Sequence, residues 1–542
     1  MPKKLLQFFP KDYEPSTGQV DIIKKIDQSF GQNNKFVIVS AATGTGKSFI
    51  STTLANSSNE PTDKFKELIN SYQAFKQDFT GNFVNQIDCE KEPPFGSFTL
   101  TITKSLQDQY KNLFNESVLL KGKSNYVCAV DNVSMVDTAP CMVAPRLKED
   151  CCKTNKCPYY SSRNVALTSK HTVLNYKMFL HLPGHVKRRN YIICDEASEL
   201  ENEMVKMFSL FLDIKKICRL GISIKMPRSL NNADTLHWLT DLSLNIGDTI
   251  ESLIKKHNKE SNMVLGDKIK ISALKNYFMQ INSCISEWSS CEWVIDAPDK
   301  DLITVTPLRV NALMHHIFDY ADKVVLMSAT IIDHKKFAAS LGITQYDYVE
   351  APGNFNPKQS PIYISKENSI NYANKDKVLP KIAQQINELC NLYKDEKGII
   401  HTQSFEITNI VKKYLKGTRF LFRDDMRSND DILDKHYNSP DPTVLVSPSL
   451  THGVDLKDDL ARFCIIVKLP FLPLSNKRIK KLFELDKDWY QNQMLNILVQ
   501  MCGRATRSKT DHSNTYILDG NAYRILPMVK DKLPSHFIDR VV

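Results

Sequence analysis

One short segment, residues 41–48 (AATGTGKS), most constrains how this chain can fold. An apolar, β-branched run at 36–41 (FVIVSA) leads into it, and a helix-like segment follows it. In that context a glycine-rich turn presents the backbone amides of Gly44 to Ser48 to phosphate oxygens at a helix N-terminus. The first glycine that is usual in such loops is replaced by Ala41. The sequence therefore predicts a strand–loop–helix unit with a phosphate-binding turn.

The rest of the chain alternates short apolar runs with helical periodicity. Strands are predicted at 98–103, 191–195, 324–328, 398–402, 443–447, 463–468 and 515–519, and helices at intervals such as 379–394 and 405–415. Strands that alternate with helices favour parallel α/β sheets. Because the strands form one set before about residue 335 and another after about 360, two α/β domains are predicted.

Two regions interrupt this alternation, and both are predicted to be insertions in the first α/β domain. Residues 120–160 have few strand signals and contain a cluster of cysteines. Residues 205–300 have mainly helical periodicity and include Trp288 and Trp293. For these two tryptophans, packing in a helical core is favoured over stacking on nucleic-acid bases.

The composition excludes a few classes of protein but does not identify a function. With 542 residues, 42% hydrophobic and 24% charged, the chain can bury a large core, which excludes disorder as its main state. It has no apolar run of 18 residues, so no membrane-spanning helix is predicted. The net charge of +10 permits a polyanionic partner without requiring one. No secretory signal is recognisable, so a cytoplasmic location is expected, with a nucleoid, nuclear or viral host-cell setting left open.

Two carboxylates at the end of a strand complete a plausible nucleotide site. Residues 192–196 (IICDE) end in Asp195 and Glu196, as in a Walker B motif. We expect Lys47 to reach the β and γ phosphates, Ser48 and Asp195 to hold Mg²⁺, and Glu196 to orient the attacking water. The alternative for the carboxylates alone, a solvated strand end, is disfavoured once the phosphate loop is considered.

A third segment, residues 500–507 (QMCGRATR), places two arginines on one face of a predicted helix. Arg504 and Arg507 suit contact with a γ-phosphate whose charge grows in the transition state, and Gln500 precedes them. The alternative, a pair of surface salt bridges, stays open on this segment alone.

Five cysteines fall within thirty residues: Cys128, Cys141, Cys151, Cys152 and Cys157. Four thiolates suit either a [4Fe–4S] cluster or Zn²⁺. Their spacing does not match the paired C-x-x-C of a zinc ribbon, and the adjacent pair leaves one of Cys151 and Cys152 outside a four-ligand site.

Together these motifs resemble the superfamily 2 helicases of the XPD/DinG type, in order and spacing along nearly the whole chain. The similar segments are 13–19 (YEPSTGQ, a Q motif), 101–109 (motif Ia), 121–128 and 157–160 (cluster cysteines), 173–176 (VLNY), 195–198 (DEAS), 327–330 (MSAT, motif III), 452–455 (HGVD, motif V) and 500–507 (motif VI). Three positions depart from the family: Ser16 replaces Arg, Ser198 replaces the His of D-E-A-H, and His452 replaces Glu.

The resemblance implies an α/β fold of two RecA-like P-loop domains, with an iron–sulfur insertion and a helical arch in the first domain. The implied boundaries are 1–119, 161–204 and 301–335 for the first domain, 120–160 for the iron–sulfur insertion, 205–300 for the arch, and 336–542 for the second domain. At the domain cleft the implied ATP contacts are Gln19, Ala42, Thr43, Gly44, Thr45, Gly46, Lys47, Ser48 and Asp455. The resemblance favours a [4Fe–4S] cluster over zinc.

The activity that the resemblance implies is ATP-dependent, 5′–3′ unwinding of DNA in repair, recombination or replication. Single-stranded and forked DNA are the expected partners, the protein is expected to be monomeric, and its protein partners are unknown. The alternative is a nucleic-acid-dependent ATPase that acts as a translocase or clamp without separating strands. In either case the hydroxyls of Thr101, Thr103 and Ser404, at the ends of predicted strands, either contact DNA phosphates or only cap the strand ends.

Overall fold

The computed structural model describes residues 4–42, 44–77, 83–142, 145–154, 156–227, 229–259, 265–351, 356–423, 429–448, 450, 456, 458–503 and 511–542. The strands in these residues are β1 (Phe36–Ser40), β2 (Ser97–Thr101), β3 (Val118–Leu120), β4 (His171–Asn175), β5 (Arg189–Asp195), β6 (Leu210–Asp213), β7 (Trp293–Asp299), β8 (Leu302–Pro307), β9 (Ala321–Ser328), β10 (Asp347–Glu350), β11 (Ile362–Ile364), β12 (Gly398–His401), β13 (Phe420–Phe422), β14 (Val444–Ser447), β15 (Phe463–Ile466) and β16 (Asn514–Ile517).

The α-helices before the third sheet are α1 (Thr17–Gly31), α2 (Lys47–Ser57), α3 (Asp63–Asn70), α4 (Gln86–Lys91), α5 (Lys104–Leu113), α6 (Pro145–Lys153), α7 (Pro158–Thr168), α8 (Tyr176–His181) and α9 (Leu200–Phe208). Those that follow are α10 (Ile214–Arg219), α11 (Asn232–Lys259), α12 (Leu265–Ser286), α13 (His315–Phe318), α14 (His334–Ser340), α15 (Lys375–Leu392), α16 (Phe405–Lys412), α17 (Asn429–Asn438), α18 (Lys477–Leu485), α19 (Lys487–Cys502), α20 (Asn521–Met528) and α21 (Ser535–Ile538). None of the described helices is long and apolar enough to cross a membrane.

A seven-stranded parallel sheet forms the first α/β domain, in the order β10-β1-β9-β5-β2-β4-β3. Strand β1 is buried on both faces of the sheet. Val37 and Val39 pack in the apolar core on one face, and Ile38 packs in the core on the other. Parallel strands covered by helices on both faces have continuous apolar sequences, which is why four of the seven, β1, β2, β5 and β9, were predictable. The carboxyl ends of β1, β5 and β9 therefore meet at one edge of the sheet.

A six-stranded parallel sheet forms the second domain, in the order β11-β16-β15-β12-β14-β13. Its central strands are also buried on both faces, with Ile399 in one apolar cluster and Ile400 in the other. Helices α15, α16 and α19 belong to this domain and confirm the predicted alternation of helices and strands.

The region predicted as a helical arch contains the two long helices α11 and α12, which pack against each other and on a three-stranded antiparallel sheet, β6-β8-β7. Trp288 and Trp293 stack on one another with ring centroids 5.4 Å apart, and Trp293 lies in this core. The structure therefore places them in core packing, as the sequence favoured.

Two domain boundaries in the structure differ from the predicted ones. Residues 302–307 form β8, which pairs with β6 and β7, so the arch extends beyond residue 300. Residues 347–350 form β10, which pairs with β1 in the first sheet, so the first domain extends beyond residue 335. Because β10 is a short edge strand with only Val349 buried, its sequence has no apolar run that would reveal it.

The second domain contacts the base of the arch through a buried ion pair. Arg478 of α18 donates to a carboxylate oxygen of Glu201 on α9 (2.9 Å) and to the carbonyl of Pro307 (2.9 Å). The indole N–H of Trp489, at the start of α19, donates to the other oxygen of Glu201 (3.1 Å). Arg478 is 5% exposed and Glu201 is 7% exposed, so each charge depends on its partner inside this contact.

Candidate nucleotide-binding site

The glycine-rich loop after β1 folds back on its own carbonyls. Gly44 and Gly46 have φ values of 79° and 78°, a left-handed conformation that glycine adopts without strain. The hydroxyl of Thr45 donates to the carbonyl of Ala42 (2.7 Å), and Nζ of Lys47 donates to the carbonyl of Ala41 (3.2 Å). The first turn of α2 begins directly after this loop, with Lys47 and Ser48 half-buried. Thr43 lies outside the described residues.

Gln19 joins helix α1 to this loop. Ser16 caps α1, because its hydroxyl accepts from the backbone N–H of Gln19 (3.3 Å) while the side-chain carbonyl of Gln19 accepts from the backbone N–H of Ser16 (2.8 Å). The amide nitrogen of Gln19 donates to the carbonyl of Gly46 (3.4 Å). A Cβ atom at Gly46 would lie 2.1 Å from that nitrogen, so the close approach requires glycine. Ser16, which stands where the helicases that the sequence resembles usually have Arg, therefore has a role in positioning Gln19.

Asp195 ends β5 beside the loop and is buried. One carboxylate oxygen accepts from the Tyr110 hydroxyl (3.1 Å), and the other accepts from the backbone N–H of Glu196 (3.0 Å). Burial, followed by the charge of Glu196, raises the pKa of Asp195 to about 6, while the charge of Lys47 opposes the rise. Glu196 has φ of 53° and turns the chain sharply after the strand. The loop lysine and both carboxylates are thus brought to the same edge of the sheet.

Two tyrosines that sequence reasoning missed support Asp195. The hydroxyl of Tyr110, which is fully buried on α5, also lies 3.1 Å from the hydroxyl of Ser51 on α2. The hydroxyl of Tyr176 donates to the backbone carbonyl of Asp195 (3.1 Å). Tyr176 lies in the 173–176 segment (VLNY) that resembles the helicases, but Tyr110 is 85 residues from Asp195 and belongs to no local pattern that indicates the contact.

Ser198 connects the first domain to the second. Its hydroxyl oxygen accepts from the side-chain amide of Gln500 on α19 (3.1 Å) and from the Ser328 hydroxyl (2.9 Å). The same amide nitrogen of Gln500 donates to the Thr330 hydroxyl (3.1 Å). Ser198 therefore accepts two hydrogen bonds, and with Gln500 it connects the 195–198 and 327–330 segments to helix α19.

A small cavity lies between the two sheets at this junction. Its lining joins both domains: Ala42, Glu196, Ala329, Thr330, Val499, Gln500, Gly503, His536, Phe537 and Arg540. Arg540 donates to the carbonyls of Ser360 (2.6 Å) and Cys502 (3.0 Å) and so fixes the end of α19. The C-terminal residues of this lining carry no motif. Arg504, Arg507, Asp455 and His452 lie outside the described residues.

Four of the five clustered cysteines surround a second, smaller cavity: Cys128, Cys141, Cys151 and Cys157. Cys152 does not line it, although it lies in the same apolar core of the first domain as Cys151 and Cys157. In the part of the chain that the structure describes, no three of these sulfurs lie within 4.8 Å of one another. A single tetrahedral zinc needs sulfurs about 3.8 Å apart.

Two further features of this cavity suit a thiolate-bound group. Cys157 occupies the N-cap position of α7, where the helix favours negative charge. The backbone N–H of Val130 donates to the sulfur of Cys128 (3.4 Å). The four-thiol donor set and its wide spacing fit an iron–sulfur cluster better than a single zinc ion.

Comparison with known proteins agrees with this geometry. Residues 386–537 match the family model of the helicase C-terminal domain. A solved XPD helicase is 16% identical, with 94% of this chain and 96% of that chain covered and a TM-score of 0.62. The chain has the XPD helicase fold. The predicted α/β class with two RecA-like domains is thereby confirmed.

Other XPD structures give the same result. An apo XPD structure is 15% identical, covering 94% of this chain and 98% of that chain with a TM-score of 0.58. An XPD protein of S. tokodaii is 14% identical, covering 96% and 99% with a TM-score of 0.53. No curated protein matches the chain.

Two of the three hydroxyls expected to meet DNA phosphates are helix caps, whereas the third, that of Thr101, donates to the carbonyl of Thr103 (3.3 Å). Thr103 accepts from the backbone N–H of Leu106 (3.2 Å) at the start of α5. Ser404 accepts from the backbone N–H of Ile407 (3.2 Å) at the start of α16. The capping alternative therefore accounts for both hydroxyls.

Proposed function

We propose that this protein uses ATP hydrolysis to move along single-stranded DNA in the 5′–3′ direction and to separate the strands of a duplex. The observation that carries the proposal is the contact between Ser198 and Gln500. It joins the segment after the Walker B carboxylates to the second domain, beside the phosphate loop. Movement of the second domain is therefore coupled to the residues that would act on ATP.

In this proposal each residue of the site has a distinct role. Gln19 and residues 42–48 hold the nucleotide, and Lys47 contacts its β and γ phosphates. Ser48 and Asp195 hold Mg²⁺, and Glu196 orients the attacking water. Gln500, Arg504 and Arg507 would contact the γ-phosphate, and Asp455 would contribute to ATP binding.

The four-thiol cavity supports an iron–sulfur cluster as part of the proposal. A [4Fe–4S] cluster would be held by Cys128, Cys141, Cys151 and Cys157. Its iron–thiolate bonds would cross-link a segment that has little regular structure. The insertion around it has few strands in the described residues, so cross-linking by metal replaces part of a hydrophobic core there.

Strand separation on tailed duplexes tests the proposal. Duplexes with only a 5′ tail, only a 3′ tail or a fork should be incubated with ATP and anaerobically purified protein, with RNA tails in parallel. We expect unwinding of the 5′-tailed and forked DNA, and ATP hydrolysis stimulated by single-stranded DNA. ATP hydrolysis that is stimulated without strand separation would favour the translocase or clamp, and the absence of any stimulation would contradict both.

Replacing Ser198 by alanine should weaken the coupling between DNA and ATP hydrolysis. The change removes two hydrogen bonds at the domain junction, each worth about 0.5–1.5 kcal/mol. We expect the ratio of DNA-stimulated to unstimulated turnover to fall by about two- to tenfold. Ser340→Ala is the matched control, because that hydroxyl donates only to the local carbonyl of Phe337. An unchanged ratio in Ser198→Ala would remove this contact from the coupling mechanism.

A further inference from the structure

Three potential metal ligands meet where the arch joins the first domain. Glu287 follows the long arch helix α12, while His315 and His316 begin α13 of the first domain. The Nε2 atoms of His316 and His315 lie 2.9 Å and 3.9 Å from the same carboxylate oxygen of Glu287. Among the described residues, this is the one group of three such side chains whose donor atoms all lie within 4.8 Å of one another.

The surroundings orient the histidine rings. Nδ1 of His315 lies 2.8 Å from the carbonyl of Ala312, which fixes the proton on that nitrogen and turns Nε2 toward Glu287. A backbone carbonyl on the far nitrogen is the usual support of a metal-bound histidine. The ring of His316 packs against Phe208, with centroids 5.0 Å apart, and the two histidine rings lie 4.0 Å apart.

The separations suit one small divalent ion. Tetrahedral zinc with ligand bonds of about 2.0–2.1 Å requires donor atoms about 3.3 Å apart. The two distances from the Glu287 oxygen, 2.9 Å and 3.9 Å, lie on either side of that value. Two imidazoles and one carboxylate are a donor set that zinc accepts, with a fourth position left for water.

We propose that Glu287, His315 and His316 form a Zn²⁺ site that fastens the base of the arch to the first domain. Glu287 is almost fully buried, whereas the His315 side chain is 46% exposed, so the ion has a route from solvent. The site lies between α12 and α13, which are separated along the chain by β7 and β8. A bound ion therefore restrains the arch helices relative to the first sheet. This inference does not depend on the cysteine cavity or on helicase activity.

Zinc content of matched variants tests the site. Full-length wild type, His315→Ala and Glu287→Gln should be equilibrated with buffered Zn²⁺, dialysed, and measured by elemental analysis. We expect wild type to retain one more zinc per chain than either variant, because all three proteins share the same cysteines. Zinc should also raise the unfolding temperature of wild type more than that of the variants, since the ion binds only the folded state.

Two comparisons make the result decisive. His237→Ala is the matched control, because it removes a histidine that pairs with only one carboxylate, Asp241, on the exposed face of α11. That variant should keep the wild-type zinc content. The His315 side chain is 46% exposed and its hydrogen bond is to the nearby carbonyl of Ala312, so His315→Ala disturbs folding least and keeps the test valid if Glu287→Gln misfolds. Equal zinc in wild type and His315→Ala would overturn the proposal.

Discussion

Replacing Lys47 by alanine is expected to abolish ATP hydrolysis while the protein stays folded. Lys47 is the first residue of α2, and its Nζ atom donates to the loop carbonyl of Ala41. In the proposed site this cation stabilises the charge that develops on the transferred phosphate, and removing one such preorganised group costs on the order of 10²–10³ in turnover. Alanine is a good helix former, so α2 should persist. Steady-state ATP hydrolysis with saturating DNA measures the loss.

The control for this experiment is Lys66→Ala. Lys66 lies on α3 of the same domain and pairs only with Asp63, at an exposed position. Its replacement should leave turnover unchanged. Circular dichroism and single-strand binding should match wild type in both variants, which separates lost chemistry from lost fold. Normal turnover in Lys47→Ala would refute the assignment of the phosphate loop.

The second large effect is expected at the cysteine cavity. Anaerobically purified protein should be brown and contain about four irons and four sulfides per chain. Cys128→Ser, Cys151→Ser and Cys157→Ser should each bleach it, because these sulfurs line the cavity and a serine oxygen is a poor ligand for the cluster iron. Unwinding should fall more than ATP hydrolysis, since the cavity is separate from the nucleotide site.

Two cysteines that do not line the cavity, Cys152 and Cys218, provide the control for this result. Cys152→Ser should keep the colour, because Cys152 packs in the core of the first domain and does not line the cavity. Cys218→Ser, an exposed cysteine on α10, should also keep it. Colourless protein with one zinc in the cysteine cavity and intact unwinding would refute the iron–sulfur assignment and leave the helicase proposal standing.

Local patterns predicted most of the central strands but not the edges of the sheets. The interior strand β4 was also missed, because His171, Thr172 and Asn175 leave it only two apolar residues. Strands such as β1 and β15 are buried on both faces and therefore appear as apolar runs. Strands β3, β11 and β13 have three residues each, and only one residue of each is buried. Pairing with longer neighbours, rather than local propensity, sets their conformation, so the sequence did not reveal them.

The residues of the candidate site also fall into two groups, those that local motifs predict and those that they do not. The residues of the phosphate loop and the Walker B pair lie within contiguous motifs, and the parallel sheet brings those motifs together. Tyr110 and Arg540 contribute through contacts with residues far away in sequence, Asp195 and Ser360. No spacing rule connects such pairs, and the same is true of Glu287 with His315 and His316. Only the folded arrangement of helices identifies them.

Helix α19 has a mechanical consequence for the proposed motor. Its 16 residues form a rod about 24 Å long. Trp489, near one end, contacts Glu201, and Gln500, near the other, contacts Ser198. Both contacts are on the short segment that follows the Walker B carboxylates. Since a rigid rod cannot shift without displacing the points to which it is attached, force on the second domain reaches that segment directly. If the protein moves along DNA as proposed, load from a stalled strand would reach the ATP site through this helix, and hydrolysis would become sensitive to tension on the DNA.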